Sequence, residues 1–278
     1  MAVGDPPGDG KFPDFDVSKP NVARVYDAML GGKDNFAADR EFVAEMLRFA
    51  PMAPLGAIAN RQFLGRVVQY LIVEAGVTQF IDLGSGLPTQ GNVSEIAHQF
   101  DARARVVHVD NDPIVYTHSK ALLADALTTD FVLGDVRRPR EILSDPIVES
   151  MIDFEQPVGL LLFALLHHLE DGDHPERIMD EFRAAMPSGS YLALSSLRLP
   201  GPDLPELRAT TIEGEKNHTA PLGGMRWRED SEIVSWFGDW ELIPPGLVPL
   251  GDWRPPVAGH VAFPNIQHSF SGGVARKK

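Results

Sequence analysis

The sequence predicts an α/β protein: an open, mostly parallel β-sheet with helices on its faces, preceded by a helical N-terminal extension. Three observations predict it. From Gln79 onward, short apolar runs alternate with helical patterns, and such alternation implies parallel strands joined by right-handed crossovers. Val158–Leu166 is almost wholly apolar, as a strand covered on both faces requires. The chain is 44% apolar and 23% charged over 278 residues, an ordinary globular balance. At about 150 residues per domain, that length suits one large domain with an appendage.

Residues 1–16 hold three prolines, three glycines and four aspartates among few apolar side chains, and read as a disordered leader. Residues 17–76 are expected to form the helical extension. A short helix from Asn21 to Met29 ends at Gly31-Gly32, where a C-cap belongs. A second runs from Ala37 to Phe49 and stops before Pro51 and Pro54. A third, from Ala57 to Glu74, repeats Leu64, Val67, Val68, Leu71 and Ile72 at helical spacing.

Residues 77–278 form the expected core. Gln79–Leu83 is its first strand, with a helix marked by Val93, Ile96, Ala97 and Phe100 behind it. Arg105–Asp110 is the second strand, and Asp112-Pro113 opens the next helix in cap-then-proline order. Asp130–Leu133 and Val158–Leu166 are the third and fourth. A helix over Pro175–Met186 leads to the strand Tyr191–Ser196. Beyond the break at Gly201–Pro205 come helices at Glu206–His218 and Asp230–Phe237, then a strand at Glu241–Ile243. Residues 244–267 are proline-rich without periodicity, and a last strand lies near His268–Ala275.

Composition removes several function classes. Lysine plus arginine number 25 against 39 aspartates and glutamates, a net charge of −14. A nucleic-acid surface needs clustered cations, and the only basic clusters are Arg137-Arg138-x-Arg140 and the tail Arg276–Lys278. No nucleic-acid partner is expected. No apolar run is long enough to span a membrane, and the chain has no cysteine, which removes thiolate nucleophiles and Cys-ligated zinc. The expected compartment is the cytoplasm; oligomeric state is not legible.

In an open parallel sheet, ligands bind beyond the carboxyl ends of the strands. After the first strand stands Asp82-Leu83-Gly84-Ser85-Gly86-Leu87-Pro88-Thr89, whose paired glycines let backbone lie against a ligand. A dinucleotide fingerprint needs a third glycine where Thr89 stands, and an acidic residue about 20 positions on. The acidic residue is instead Asp110, 28 positions beyond Asp82. The loop suits a nucleoside without a diphosphate, or is a plain strand–helix turn. Asp110 can accept two vicinal ribose hydroxyls, while Asp112 suits a helix cap. Gly134-Asp135-Val136 ends the third strand with a carboxylate for an exocyclic amine and an N–H for a ring nitrogen.

This ordered set, with Leu166-His167-His168-Leu169 after the fourth strand, resembles the Rossmann-like class I S-adenosylmethionine-dependent methyltransferases. The segments Lys19–Asp27 and Leu30–Phe36, with Asp82–Asn92, are similar to a bacterial family known only as S-adenosyl methyltransferases. The resemblance runs from about Pro20 to the C-terminus. It implies a seven-stranded sheet whose last strand is antiparallel, S-adenosylmethionine as cofactor and S-adenosylhomocysteine as product. By position, it implies that Gly84, Ser85 and Gly86 face the methionine part, with Asp82 near its amino group. Asp110 then holds the ribose, Asn111 lies beside the adenine, Asp135 and Val136 read its edge, and Phe163 and Ala164 pass under the sulfonium. Leu87-Pro88 departs from relatives that carry a third glycine.

The acceptor is expected to be a small molecule. His167 is the candidate catalytic residue, as base or orienting donor; alternatively the His pair only satisfies backbone groups. A divalent ion is disfavoured because adjacent side chains point apart on an extended chain, and no metal is assigned. Tyr26, Asn35 and Arg40, with Lys33 and Asp34, surround Gly31-Gly32 as a lid that shapes the acceptor pocket; alternatively Val22, Val25, Met29 and Leu30 only pack a helix on the sheet edge. Arg61 pairs either with the methionine carboxylate or with a surface carboxylate. Trp227, Trp236, Trp240 and Trp253 are either acceptor walls or core. Two rivals stand beside the methyltransferase reading: a dinucleotide-dependent oxidoreductase, and a protein that binds S-adenosylmethionine without turnover.

Overall fold

At the centre of the sheet, Gln79–Leu83 forms strand β1, and its side chains alternate between two apolar layers. Ile81 and Leu83 enter one; Phe80 enters the other. This period of two is what a strand buried on both faces must show. The computed structural model describes residues 16–278 apart from 49, 89–90, 124–126, 219–221, 223 and 256–266. The expected leader, but for Asp16, and Thr89 thus lie outside the described residues.

Strands β2 (Arg105–Asp110), β3 (Thr129–Leu133), β4 (Gly159–Phe163) and β5 (Tyr191–Leu197) join β1 in parallel, in the order β3-β2-β1-β4-β5. The order reverses between β1 and β4, where a parallel sheet opens a crevice. On the far side, β8 (Phe270–Arg276) pairs antiparallel with β5 over seven residues, Tyr191 facing Arg276. Its outer edge carries β6 (Glu241–Leu242) and then β7 (Val248–Pro249), both antiparallel to it. Among the described residues the sheet therefore has eight strands, one more than expected. Strand β7 has two residues in the proline-rich stretch, so it offers no period to read.

Helices α1 (Val22–Met29), α2 (Ala37–Met46) and α3 (Ala53–Val73) precede the sheet. Asn21 caps α1 by accepting from the Ala23 and Arg24 amides. Helix α3 begins four residues before the expected start, because Pro54 sits in its first turn, where its missing N–H is not needed. Phe63, Val67, Val68 and Leu71 of α3 are buried in the Phe80 layer. Helix α4 (Val93–Phe100) follows β1, and α5 (Pro113–Leu123) follows β2. Two short helices, α6 (Pro139–Leu143) and α7 (Pro146–Met151), follow β3 where no element was expected; at five and six residues they are too short to show a period. Helices α8 (Pro175–Ala185), α9 (Pro205–His218) and α10 (Asp230–Ser235) complete the set.

Strand β4 is shorter than its apolar run. It ends at Phe163, and Ala164 takes a left-handed φ of +55° that turns the chain into a 3-10 turn at Leu166–His168. Hydrophobicity marked burial correctly there but not extended backbone. Among the described residues, no helix is long and apolar enough to cross a membrane.

Candidate active site

The carboxyl ends of the parallel strands open into one cavity of about 660 Å³, roofed by α1, α2, α3 and α9. After β1 the chain turns sharply. Gly84 and Gly86 have φ of +67° and +66°, a region that favours glycine. A Cβ on Gly84 would come within 2.6 Å of the Leu165 side chain, whereas one on Gly86 would enter open space. The loop is stitched to β2, since the Gly84 and Ser85 amides both donate to the Val109 carbonyl, at 2.8 and 3.1 Å.

Asp110 fastens the same loop. Its Oδ2 accepts from the Gly86 amide at 2.9 Å and its Oδ1 from the Asp112 amide at 3.0 Å. Burial nevertheless pushes its carboxyl up to about 6, and the neighbouring Asp112 charge adds to the rise. Asp112 caps α5 through the Ile114 amide, and its other oxygen takes the Asn21 side chain, tying the extension to the end of β2. Asn111 is exposed on the cavity rim. Asp135 also lines the cavity, and Arg137 grips its carboxylate through Nε and Nη2 at 2.9 and 2.7 Å, holding it below the usual range. Asp82 lines the cavity from below, but its Oδ2 is taken by His108 Nδ1 at 2.9 Å, with Ser94 Oγ 3.1 Å from the other ring nitrogen.

The end of β4 is held by a buried polar chain. The strained Ala164 amide donates to Ser195 Oγ at 2.9 Å, Ser195 donates to Asn60 Oδ1 at 2.6 Å, and Asn60 Nδ2 donates to the Tyr26 hydroxyl at 3.0 Å. Tyr26 closes the chain by donating to the Ala57 carbonyl at 3.1 Å, and burial raises its phenol. Phe163 packs edge-on against Phe63 with ring centres 5.7 Å apart. His167 is buried against Phe270, with ring centres 5.9 Å apart, and its ring lies 4.5 Å from that of His168. Burial lowers His167 well below its ordinary value and His168 to about 4, so both are neutral at pH 7.

A family model described as S-adenosyl methyltransferase matches residues 9–278. The chain belongs to that family. A crystal structure of a candidate methyltransferase from Thermobifida fusca YX is 43% identical, with a TM-score of 0.83 over 94% of this chain and 96% of the other. A DUF574 family protein from Streptomyces avermitilis MA-4680 is 35% identical, with a TM-score of 0.87 over 94% and 99%. An O-methyltransferase family protein from Burkholderia thailandensis shares the fold at 13% identity, with a TM-score of 0.51 over 83% and 62%. No curated protein matches. The protein is thus an S-adenosylmethionine-dependent methyltransferase, which ends the dinucleotide reading.

The lining of this methyltransferase fits its cofactor. Carboxylates at the ends of β1, β2 and β3 suit a cationic nucleoside, Gly86 leaves room beside the loop, and the buried Ser85 hydroxyl has no partner among the described residues. Of the expected lid residues, Tyr26 lines the cavity, but Asn35 and Arg40 do not. Arg40 instead clasps the Asn35 carbonyl and side chain on the exposed side of the loop. Arg61 lines the cavity and forms no ion pair among the described residues. Trp236, Trp240 and Trp253 are core; only Trp227 of the four reaches the cavity. The α9 wall went unread, although Leu207, Thr210, Thr211 and Gly214 repeat at i, i+3, i+4 and i+7 in a polar helix.

Proposed function

We propose that the methyltransferase acts on an uncharged, largely apolar small molecule. The observation that carries this is the segregation of charge around the cavity. Its ionic residues come from α1, α3, the carboxyl ends of β1 and β2 and the loops after β2 and β3, whereas among the described residues the opposite wall is lined by uncharged side chains of α9, Leu222, Met225, Trp227 and the ends of β5 and β8. An ionic acceptor would lose its hydration there without gaining a partner, and Leu207, Met225, Trp227 and Phe270 offer apolar area instead. The acidic balance and cysteine-free composition support a small-molecule acceptor over nucleic acid, and a cytoplasmic location. Residues 17–76 act as the cover of a core formed by residues 77–278.

When bound, the cofactor supplies a methyl group already activated on a sulfonium. The protein's task is placement and exclusion of water. Gly84, Ser85 and Gly86 hold the methionine part, Asp110 the ribose, Asn111, Asp135 and Val136 the adenine, while Phe163 and Ala164 form the floor. Asp82, bonded to His108, braces the loop from beneath. His167 Nδ1 faces the Leu197 amide, which donates to it at 3.4 Å. A neutral imidazole accepting at Nδ1 carries its proton on Nε2. His167 therefore orients the acceptor as an N–H donor rather than acting as its base.

Replacing His167 with alanine is expected to lower kcat about tenfold or more while leaving affinity for S-adenosylhomocysteine within about twofold, since one orienting hydrogen bond is lost from the acceptor side alone. The wild-type kcat should be flat from pH 6 to 8, because neither histidine titrates there. Titration calorimetry and turnover on a panel of neutral and charged acceptors test both statements. A break near pH 6.5 that vanishes in the variant would make His167 a base, and methylation confined to charged acceptors would sink the proposal.

A further inference from the structure

Among the described residues three non-glycines take a left-handed φ, namely Ala164, His174 and Arg254, and of these Ala164 alone lines the cavity. A Cβ makes that conformation costly, and it persists where surrounding contacts over-determine it. At Ala164 they do. Its amide faces both the Ser195 carbonyl, at 3.2 Å, and Ser195 Oγ, at 2.9 Å. The Ser195 hydroxyl gives its own proton to Asn60 Oδ1, which leaves its lone pairs for Ala164. Ser195 is 0% and Asn60 3% exposed, so solvent does not compete for these bonds. The other end of Asn60 faces the extension, where Nδ2 donates to the Tyr26 hydroxyl and Tyr26 donates to the Ala57 carbonyl. Every donor thus runs the same way, from Ala164 through Ser195, Asn60 and Tyr26 to Ala57, and each bond polarises the next. At the centre of that chain stands an amide, which accepts on one side and donates on the other, as neither leucine nor an ionised aspartate can.

We propose that Asn60 is a positioning residue for methyl transfer: through Ser195 it holds the turn at Ala164, and through Tyr26 it seats α1, so that the extension fixes the floor on which the sulfonium lies. The proposal rests on the cofactor reading of the cavity. The turn has consequences on both sides of the reacting centre. Leu165, the next residue, packs against Gly84 of the loop after β1, and His167 follows in the 3-10 turn. Asn60 need not touch the reacting atoms to matter, because a misplacement of about 1 Å at such a centre costs about 100-fold in rate.

S-adenosylmethionine and S-adenosylhomocysteine differ only by the methyl group and charge on sulfur, so the ratio of their affinities reports the floor without an acceptor. In the full chain, Asn60→Leu and Ser195→Ala should each weaken S-adenosylmethionine about tenfold, the scale of one hydrogen bond, and S-adenosylhomocysteine by no more than about threefold. Calorimetry reads both. Glycine adopts the left-handed turn without the Cβ penalty, so adding Ala164→Gly to Ser195→Ala should restore the wild-type ratio to within about twofold. General loosening of the fold would not respond to that glycine. Should Asn60→Leu fail to fold, Ser195→Ala decides alone, because the Ser195 carbonyl still takes the Ala164 amide. Equal losses for the two ligands would reduce Asn60 to a brace of the fold and overturn the proposal. An unchanged ratio, or no rescue by Ala164→Gly, would overturn it as well, with the cofactor site left standing. If the wild type bound neither ligand, the cofactor reading itself would fall, and the proposal with it.

Discussion

Replacing Asp110 with alanine is expected to weaken S-adenosylhomocysteine binding roughly 100-fold, about 3 kcal/mol. Two losses combine. The ribose hydroxyls lose a charged acceptor, which alone is worth about 1.5–3 kcal/mol. The loop after β1 also loses its tether, since the Gly86 amide donates to Asp110. Calorimetry on the folded variant measures the effect, and unchanged affinity would remove Asp110 from the ribose site.

The same carboxylate sets a pH dependence. Without ligand, its pKa is raised to about 6, chiefly by burial, so the folded state binds more protons than the unfolded chain between about pH 4 and 6. Ionised Asp110 is therefore a liability to the empty protein, relieved as pH falls through 6. Ribose hydroxyls donate to the ionised form and lower its pKa on binding. Affinity for S-adenosylhomocysteine should be level above pH 6.5 and decline below 6, approaching tenfold per pH unit, with proton release on binding. In Asp110→Ala that decline should flatten, which calorimetry in buffers of different ionisation enthalpy can read.

Much of this site was legible in the sequence, and the rest was hidden for identifiable reasons. Strands β1 to β5 announced themselves because burial on both faces demands continuous apolar residues, and the residues after each strand then fell where such sheets bind ligands. Gly84, Gly86 and Asp110, which all line the cavity, stand out because a tight turn favours glycine and a strand-end carboxylate lies at the rim of such a sheet. Pairings across the chain were not legible. Nothing near His108 marks it as the partner of Asp82, and nothing near Asn60 reveals that it joins Tyr26 to Ser195, 135 positions away. Such contacts depend on register and crossover, which no local pattern carries. Asn35 and Arg40 show the reverse error: polar residues beside a flexible turn suggested ligand contacts, but they satisfy the turn itself.

Arg24→Met is expected to destabilise the extension by about 3–5 kcal/mol, the usual penalty for breaking a buried ion pair from one side. Arg24 and Asp39 lie 2.8 Å apart with side chains 3% and 0% exposed. Asp39 also accepts from the Asn21 and Phe36 amides, and Arg24 donates to the Lys19 carbonyl, so the pair fixes how α1 meets α2. Losing the guanidinium leaves a carboxylate in the interior with two amide donors among the described residues. Adding Asp39→Leu should recover only part of the loss, because those amides then lose their acceptor. Since α1 carries Tyr26 and Asp27 in the cavity wall, S-adenosylhomocysteine affinity should fall in Arg24→Met although Arg24 does not line the cavity. Hydrogen exchange should locate the loosening in α1 and α2, with β1 to β5 still protected. A variant that melts like the wild type would show that the pair contributes nothing net, and one that loosens β1 to β5 equally would show that the extension and the sheet unfold as one.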